Sequence, residues 1–330
     1  MSKFAIVTGA SRGFGRGISK VLANEGGYTV YACARTTEKL EALAKDCAGG
    51  PGKVIPYSLD QAKGNEAKVQ EFVNTVAEAA KAAGTGISLV VNSSCGSLDG
   101  MTPYLGKPFW EHPASEFDAH VEIGARSSYV LSTMVIPKMI EAQVTNGLIL
   151  QISSYGGFIY AFDVGYSVGH CATDRLSWDM AIELNSTEAT NGTNKCKIRS
   201  CCLHPGGGVT EVAAFPGGET PLYVGLCVLA LHADSTTPAF LDKANGKVLF
   251  TADLTTKTLE KDGLDGSGIK EEGPDADEVN KKRVEGLGFP QMMLAGKRGE
   301  NNMDAELPNM TDFFADASTK ACFPGCPQNP

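Results

Sequence analysis

What this chain lacks narrows its function before any motif is read. No stretch approaches the roughly 20 consecutive apolar residues that span a bilayer, so no membrane crossing is expected. Positive charge is in deficit: 29 Lys and Arg stand against 38 Asp and Glu, a formal net charge of −9. That balance argues against a nucleic-acid surface and against a patch for anionic lipids. Histidines number only five, and neither they nor the 10 cysteines show metal-ligand spacing, so no metal is expected. Cys33, Cys47, Cys95, Cys171, Cys201, Cys202 and Cys227 fall inside expected strands and helices. They read as buried reduced thiols, and only Cys322 and Cys326 are placed to bridge. No leader precedes the first apolar run, which implies a cytoplasmic protein; the sequons at Asn185, Asn191 and Asn309 would need a secretory route.

What is present is an alternation of strand and helix signals over residues 1–251 of the 330. Apolar strands are expected at 4–7, 28–34, 54–58, 87–91, 148–153, 198–203 and 246–251. Helices are expected at 14–25, 37–47, 66–83, 115–142, 166–185 and 221–232. The pattern predicts an α/β fold, a Rossmann-type doubly wound parallel sheet. From residue 252 the composition turns polar, with one helix expected at 275–285 and an irregular end, FPGCPQNP. This C-terminal extension (252–330) reads as a segment lying over the core or reaching an assembly partner.

The stretch Thr8–Gly15, TGASRGFG, stands between the first strand and the first helix. In that context one glycine permits a tight turn and another lets the backbone approach a pyrophosphate. The third lets helix and strand pack closely, with the phosphates at the helix N-terminus. Gly9, Ser11, Arg12, Gly13, Phe14 and Gly15 are therefore expected to hold a dinucleotide. At the end of the second strand, where an acidic residue would bind the ribose hydroxyls of NAD, stands Arg35. Two guanidinium groups, Arg12 and Arg35, suit a 2′-phosphate, so the expected cofactor is NADP(H). Asp60, just past the third strand, is expected near the adenine.

A reaction centre is expected at the C-terminal edge of the sheet. Ser154 ends the fifth strand and Tyr166 opens the helix after it. A tyrosine hydroxyl can give a proton to a carbonyl oxygen, and a serine hydroxyl can hold that oxygen. These residues resemble the classical short-chain dehydrogenase/reductase family over about residues 3–251. TGASRGFG matches its TGxxxGxG, and Asn92 in VVNSSCG matches the first Asn of its NNAG. ISSYGG matches its serine motif, Tyr166 its YxxxK tyrosine, and Pro205-Gly206 with Thr210 its loop toward the nicotinamide amide. KPFWEHPASEFD and the spacing of YSVGH further resemble the member 1 branch, which implies an NADP-dependent carbonyl reductase of broad substrate range.

Two positions depart from that family. Its catalytic Asn falls at Gly124, and His170 stands where YxxxK has Lys. Near its reference pKa of about 6.5, a histidine is mostly neutral at pH 7, yet it can hydrogen-bond a ribose hydroxyl. The resemblance thus implies Ser154, Tyr166 and His170 as the catalytic set, a small-molecule carbonyl substrate and a homo-oligomer. The rival expectation is a catalytically weakened structural subunit whose tail docks onto a larger assembly.

Overall fold

The computed structural model describes residues 3–96, 98–191, 196–215, 218–232, 237–251 and 254. The C-terminal extension, with the helix expected at 275–285, and Cys322 and Cys326 lie outside the described residues.

In the first half, β1 (Lys3–Thr8), α1 (Gly13–Asn24), β2 (Tyr28–Ala34), α2 (Thr37–Asp46), β3 (Lys53–Ser58), α3 (Glu66–Ala82) and β4 (Ile87–Asn92) alternate strictly. The second half runs through α4 (Leu98–Met101), α5 (Ala114–Asp118), α6 (Ser127–Glu141), β5 (Gly147–Ile152), α7 (Val164–Ser186) and β6 (Ile198–His204). It ends with α8 (Pro221–His232), α9 (Thr237–Ala244) and β7 (Val248–Phe250). The strands form one sheet in the order β3-β2-β1-β4-β5-β6-β7, every neighbouring pair parallel. This is the doubly wound arrangement expected from the sequence.

Strand alternation builds two cores, one on each face. Ala5 and Val7 of β1 join Ile18, Leu22, Val224 and Val228 from α1 and α8. Phe4 and Ile6 of the same strand face the other way, onto Val69, Phe72 and Val76 of α3 and Leu131 and Val135 of α6. A strand buried on both faces reads as a continuous apolar run, which is why these strands were legible. Six described cysteines are buried, while Cys171 is half-buried and Cys95 exposed, against the expectation of burial for those two. No helix among the described residues is long and apolar enough to cross a membrane.

The helix expected at 115–142 is not uniform. Between α5 and α6 the chain takes π-helical turns over Ala119–Arg126. Ser127 Oγ donates to Ile123 O (2.5 Å) and Ser128 Oγ to Gly124 O (2.9 Å), so side chains serve carbonyls in the widened stretch. Such bulges recur at functional sites, and this one passes behind the cleft described below. Helix α9 went unanticipated, since eight residues are too few to show a repeated apolar face.

α1 and α8 pack closely through Gly17, where an added Cβ would lie 2.2 Å from Pro221 O. A backbone carbonyl cannot swing aside as a flexible side chain can. Gly17→Ala is therefore expected to destabilise the fold by about 1–3 kcal/mol, read as a lower midpoint of thermal unfolding.

Candidate active site

β1 and β4 lie side by side at the centre of the sheet, and the chain leaves them toward opposite ends. Ligands bind at such a switch point, beyond the carboxyl ends of the strands. Thr8 Oγ1 fixes the spot by accepting from Ser93 N (3.0 Å) and Ser94 N (3.1 Å) at the end of β4. A cleft of about 480 Å³ opens there. Its walls bring together Gly9, Ser11, Arg12, Gly13, Phe14 and Gly15 from the glycine turn, with Arg35 and Asp60 from the ends of β2 and β3. Ser154, Tyr166 and His170 face them, and Pro205, Gly206 and Thr210 close the far side. Asn92 alone among the expected site residues does not line it.

The glycine turn is shaped for close approach. Gly9 has φ +63°, and a Cβ there would lie 2.6 Å from Ser93 O; one on Gly15 would lie 2.5 Å from Gly9 O. α1 begins with no side-chain cap and no acid in its first turn. Its N-terminus nevertheless holds an anion, because Gly13 N donates to Glu211 Oε2 at 2.9 Å across the cleft. Unpaired amides and the positive end of the helix dipole attract such a charge. Arg12 is engaged as well: its Nη1 meets Asp99 Oδ2 at 2.7 Å. Arg35 is exposed at the mouth, and Asp60 Oδ1 accepts from Ala62 N at 3.1 Å.

Opposite, Tyr166 Oη donates to Ser154 Oγ at 2.8 Å. Ser154 Oγ also accepts from Gly156 N at 3.2 Å, so both its lone pairs are taken and its own proton is left for the cleft. Asp163 sets the tyrosine in place by capping α7, its Oδ1 accepting from Tyr166 N at 2.7 Å. The preceding residue, Phe162, takes a left-handed backbone (φ 63°) and turns its ring edge-on to Tyr166, 4.9 Å between centroids. Burial pushes the Tyr166 hydroxyl well above its ordinary value of 10.0, and the bond to Ser154 opposes this only in part. The phenol is thus protonated at every physiological pH.

His170 packs against Tyr166 at 4.3 Å between ring centroids, with Nδ1 3.2 Å from Ser153 Oγ. Burial, with His204 and His120 nearby, pulls it down to about 3, so the ring is uncharged at neutral pH. Behind it lies a small second cavity, lined by Asn92, His120 and Gly124 among others. The Asn92 side chain and His120 Nε2 are buried there without hydrogen-bond partners. At Gly124 an added Cβ would meet only Thr173 Oγ1, at 4.0 Å, so nothing has filled the room of a larger residue.

Sequence reasoning missed Asp163, Ser153, Asp99 and Glu211. Asp163 carried a signal, an N-cap residue type just ahead of an apolar helix. The other three act across the fold, where one-dimensional spacing is blind.

The sign of the His170 shift sets an acid dependence. Its folded pKa lies below its ordinary 6.5, so the unfolded chain takes up the proton first. The stability it contributes is complete above 6.5 and is lost as pH falls toward 3. His170→Gln should lose less stability than wild type between about pH 6.5 and 4, measured by denaturant unfolding. In nuclear magnetic resonance the wild-type His170 ring should keep its neutral shifts across that range.

Residues 3–215 match the family described as short chain dehydrogenase. "Dehydrogenase/reductase SDR family member 1" of Mus musculus is 32% identical over 286 residues, covering 81% of this chain and 84% of that protein. Its Homo sapiens namesake is 30% identical with the same coverage. Among solved structures, an actinorhodin polyketide ketoreductase with NADPH superposes with a TM-score of 0.61 at 20% identity, covering 76% of this chain and 95% of that one. A metagenomic short-chain oxidoreductase in complex with NADP gives 0.56 at 24% identity, covering 75% and 96%. At such identities the likeness to both structures is one of fold, whereas the sequence matches identify the family: the chain belongs to the short-chain dehydrogenases, a family of oxidoreductases.

Proposed function

We propose that this oxidoreductase reduces a small carbonyl compound with NADPH, Tyr166 acting as the acid. The observation that carries the reading is the buried Tyr166–Ser154 hydrogen bond, 2.8 Å long, in the same cleft as the glycine turn. The turn fits a dinucleotide by two features of this structure. It has the close backbone approach that a Cβ at Gly9 or Gly15 would fill, and an N-terminal amide that already binds a carboxylate. Gly9, Ser11, Gly13, Phe14 and Gly15 would hold the pyrophosphate, which takes the place of Glu211's carboxylate. Arg35, and Arg12 once it leaves Asp99, would hold the 2′-phosphate, and Asp60 would face the adenine. Pro205, Gly206 and Thr210 would meet the nicotinamide amide, with Tyr166 and His170 at its ribose. Asn92 lines the smaller cavity behind His170 instead of this cleft. When bound, the nicotinamide supplies the hydride.

The chain's own groups manage the oxygen of the substrate. Ser154 has a single unused proton and points it into the cleft, where a carbonyl oxygen can accept it. The same oxygen accepts from Tyr166 Oη in place of Ser154 Oγ, and the phenolic proton passes to it as negative charge develops. Among the described residues no fixed cation acts on the phenol, and His170 is neutral. This keeps Tyr166 in its acid form, the one that reduction uses. Oxidation of an alcohol needs the ionised form and is pushed to alkaline pH.

The test is turnover of NADPH against a panel of ketones, aldehydes and quinones. Wild type should reduce at least one of them, with little pH dependence between about 6 and 8 because Tyr166 stays protonated. Tyr166→Phe should fall to background while still binding NADPH. A charge-assisted contact is worth about 1.5–3 kcal/mol, so Arg35→Ala should raise the KM for NADPH roughly ten- to a hundredfold and leave that for NADH nearly unchanged. Equal use of NADH and NADPH by wild type contradicts the cofactor assignment, and NADPH binding without turnover of any carbonyl contradicts the reductase.

A further inference from the structure

Outside the cleft, three acid–base side chains meet where the loop before α5 approaches the first turn of α7. His112 and Glu116 come from the loop and from α5, and Asp163 is the residue that caps α7. One ligand atom from each lies within 4.8 Å of the other two. The cluster is largely buried: Glu116 is 7% and Asp163 2% exposed, and the His112 side chain 9%.

Their hydrogen bonds leave acceptors in excess. His112 Nε2 lies 3.1 Å from Lys107 O, and a carbonyl only accepts, so Nε2 carries a proton. His112 Nδ1 lies 2.7 Å from Glu116 Oε2. Asp163 Oδ1 is committed to Tyr166 N. The remaining oxygens, Glu116 Oε1 and Asp163 Oδ2, are buried with no donor from another group among the described residues. Burial, with the two carboxyl groups within hydrogen-bond reach of each other, pushes Glu116 up to about 7. No Lys or Arg among the described residues pairs with either carboxylate. The ammonium of Lys107 sits over the Tyr104 ring instead, 5.2 Å from its centroid.

Two carboxylates beside a neutral imidazole carry a charge of −2 away from water, and burying unpaired charge is costly. Protons are the alternative: one on His112 Nδ1 and one shared by the Glu116 and Asp163 carboxyl groups also bring the charge to zero, and a cluster held that way binds no metal. A divalent cation accounts for all three observations together. It brings the charge to zero, and it bonds the Nδ1 lone pair and an oxygen from each carboxylate. The Nε2–H of His112 on Lys107 O is the outer contact that orients a metal-binding imidazole.

We propose that His112, Glu116 and Asp163 bind one divalent transition-metal cation. An imidazole with two carboxylates is the donor set of zinc rather than of calcium or magnesium, which take oxygen alone. Water completes the fourth position. The cation ties the 107–118 segment to the start of α7, three residues ahead of Tyr166. It positions the tyrosine and takes no part in the chemistry, so the assignment stands apart from the proposed reaction.

The test uses the untagged full chain, stripped with a chelator and titrated with zinc by calorimetry. One zinc per chain should bind and raise the thermal midpoint. Glu116→Gln, which keeps the shape of the side chain, and His112→Gln should each weaken binding by at least about tenfold. Cobalt(II) in place of zinc reports the ligands directly, and in wild type it should show d–d bands without a thiolate charge-transfer band. The assignment is overturned if wild type binds no zinc, if both variants bind it as tightly as wild type, or if cobalt shows a thiolate band, which would place the metal on cysteine.

Discussion

The hydrogen bond from Tyr166 Oη to Ser154 Oγ is the contact on which the rest of the site depends. It forms because two distant pieces of backbone are each held independently. Ser154 lies just past the end of β5 and is braced by Gly156 N, while Tyr166 stands in the first turn of α7, set by the Asp163 cap. Phe162 takes a left-handed backbone at the junction, a conformation costing of order 1–3 kcal/mol for a non-glycine residue. The surrounding packing sustains that cost and with it the orientation of the phenol. Burial then does the chemical tuning by keeping both Tyr166 and His170 uncharged.

The nucleotide side of the cleft is organised by charge instead. Both anion-seeking groups of the glycine turn are satisfied by carboxylates from across the opening: Arg12 by Asp99 and Gly13 N by Glu211. In the proposed function a phosphate exchanges for these contacts, so the gain on binding is the difference between the two sets. Exposed ion pairs are worth little, and the bond to Asp99 is a weak competitor for Arg12. Arg35 has the more direct part, standing exposed at the mouth of the cleft.

Much of this was legible in the sequence, for definite reasons. The inner strands β1, β2, β4 and β5 are buried on both faces and announce themselves as apolar runs, and the glycine turn sits between a strand and a helix as its chemistry requires. Tyr166, Ser154 and the turn residues could then be placed at one sheet edge by topology alone. The π-helical turns were not legible, because their residues differ little from those of an ordinary helix. Asn92 was expected on the cofactor and is found facing the smaller cavity behind it. Glu211 and Asp99 were invisible because their partners are remote in sequence. The His112–Glu116–Asp163 cluster escaped likewise, since its third member comes from another element.

The account's central claim, that the Tyr166–Ser154 pair delivers a proton to a carbonyl oxygen while the glycine turn holds NADPH, has a direct measurement. Incubate the enzyme with NADPH carrying deuterium at both C4 positions and a ketone it turns over, and analyse the alcohol by mass spectrometry. The account predicts one deuterium on the carbinol carbon with wild type and no labelled alcohol with Tyr166→Phe. Unlabelled alcohol from wild type, or labelled alcohol formed equally fast by Tyr166→Phe, contradicts it.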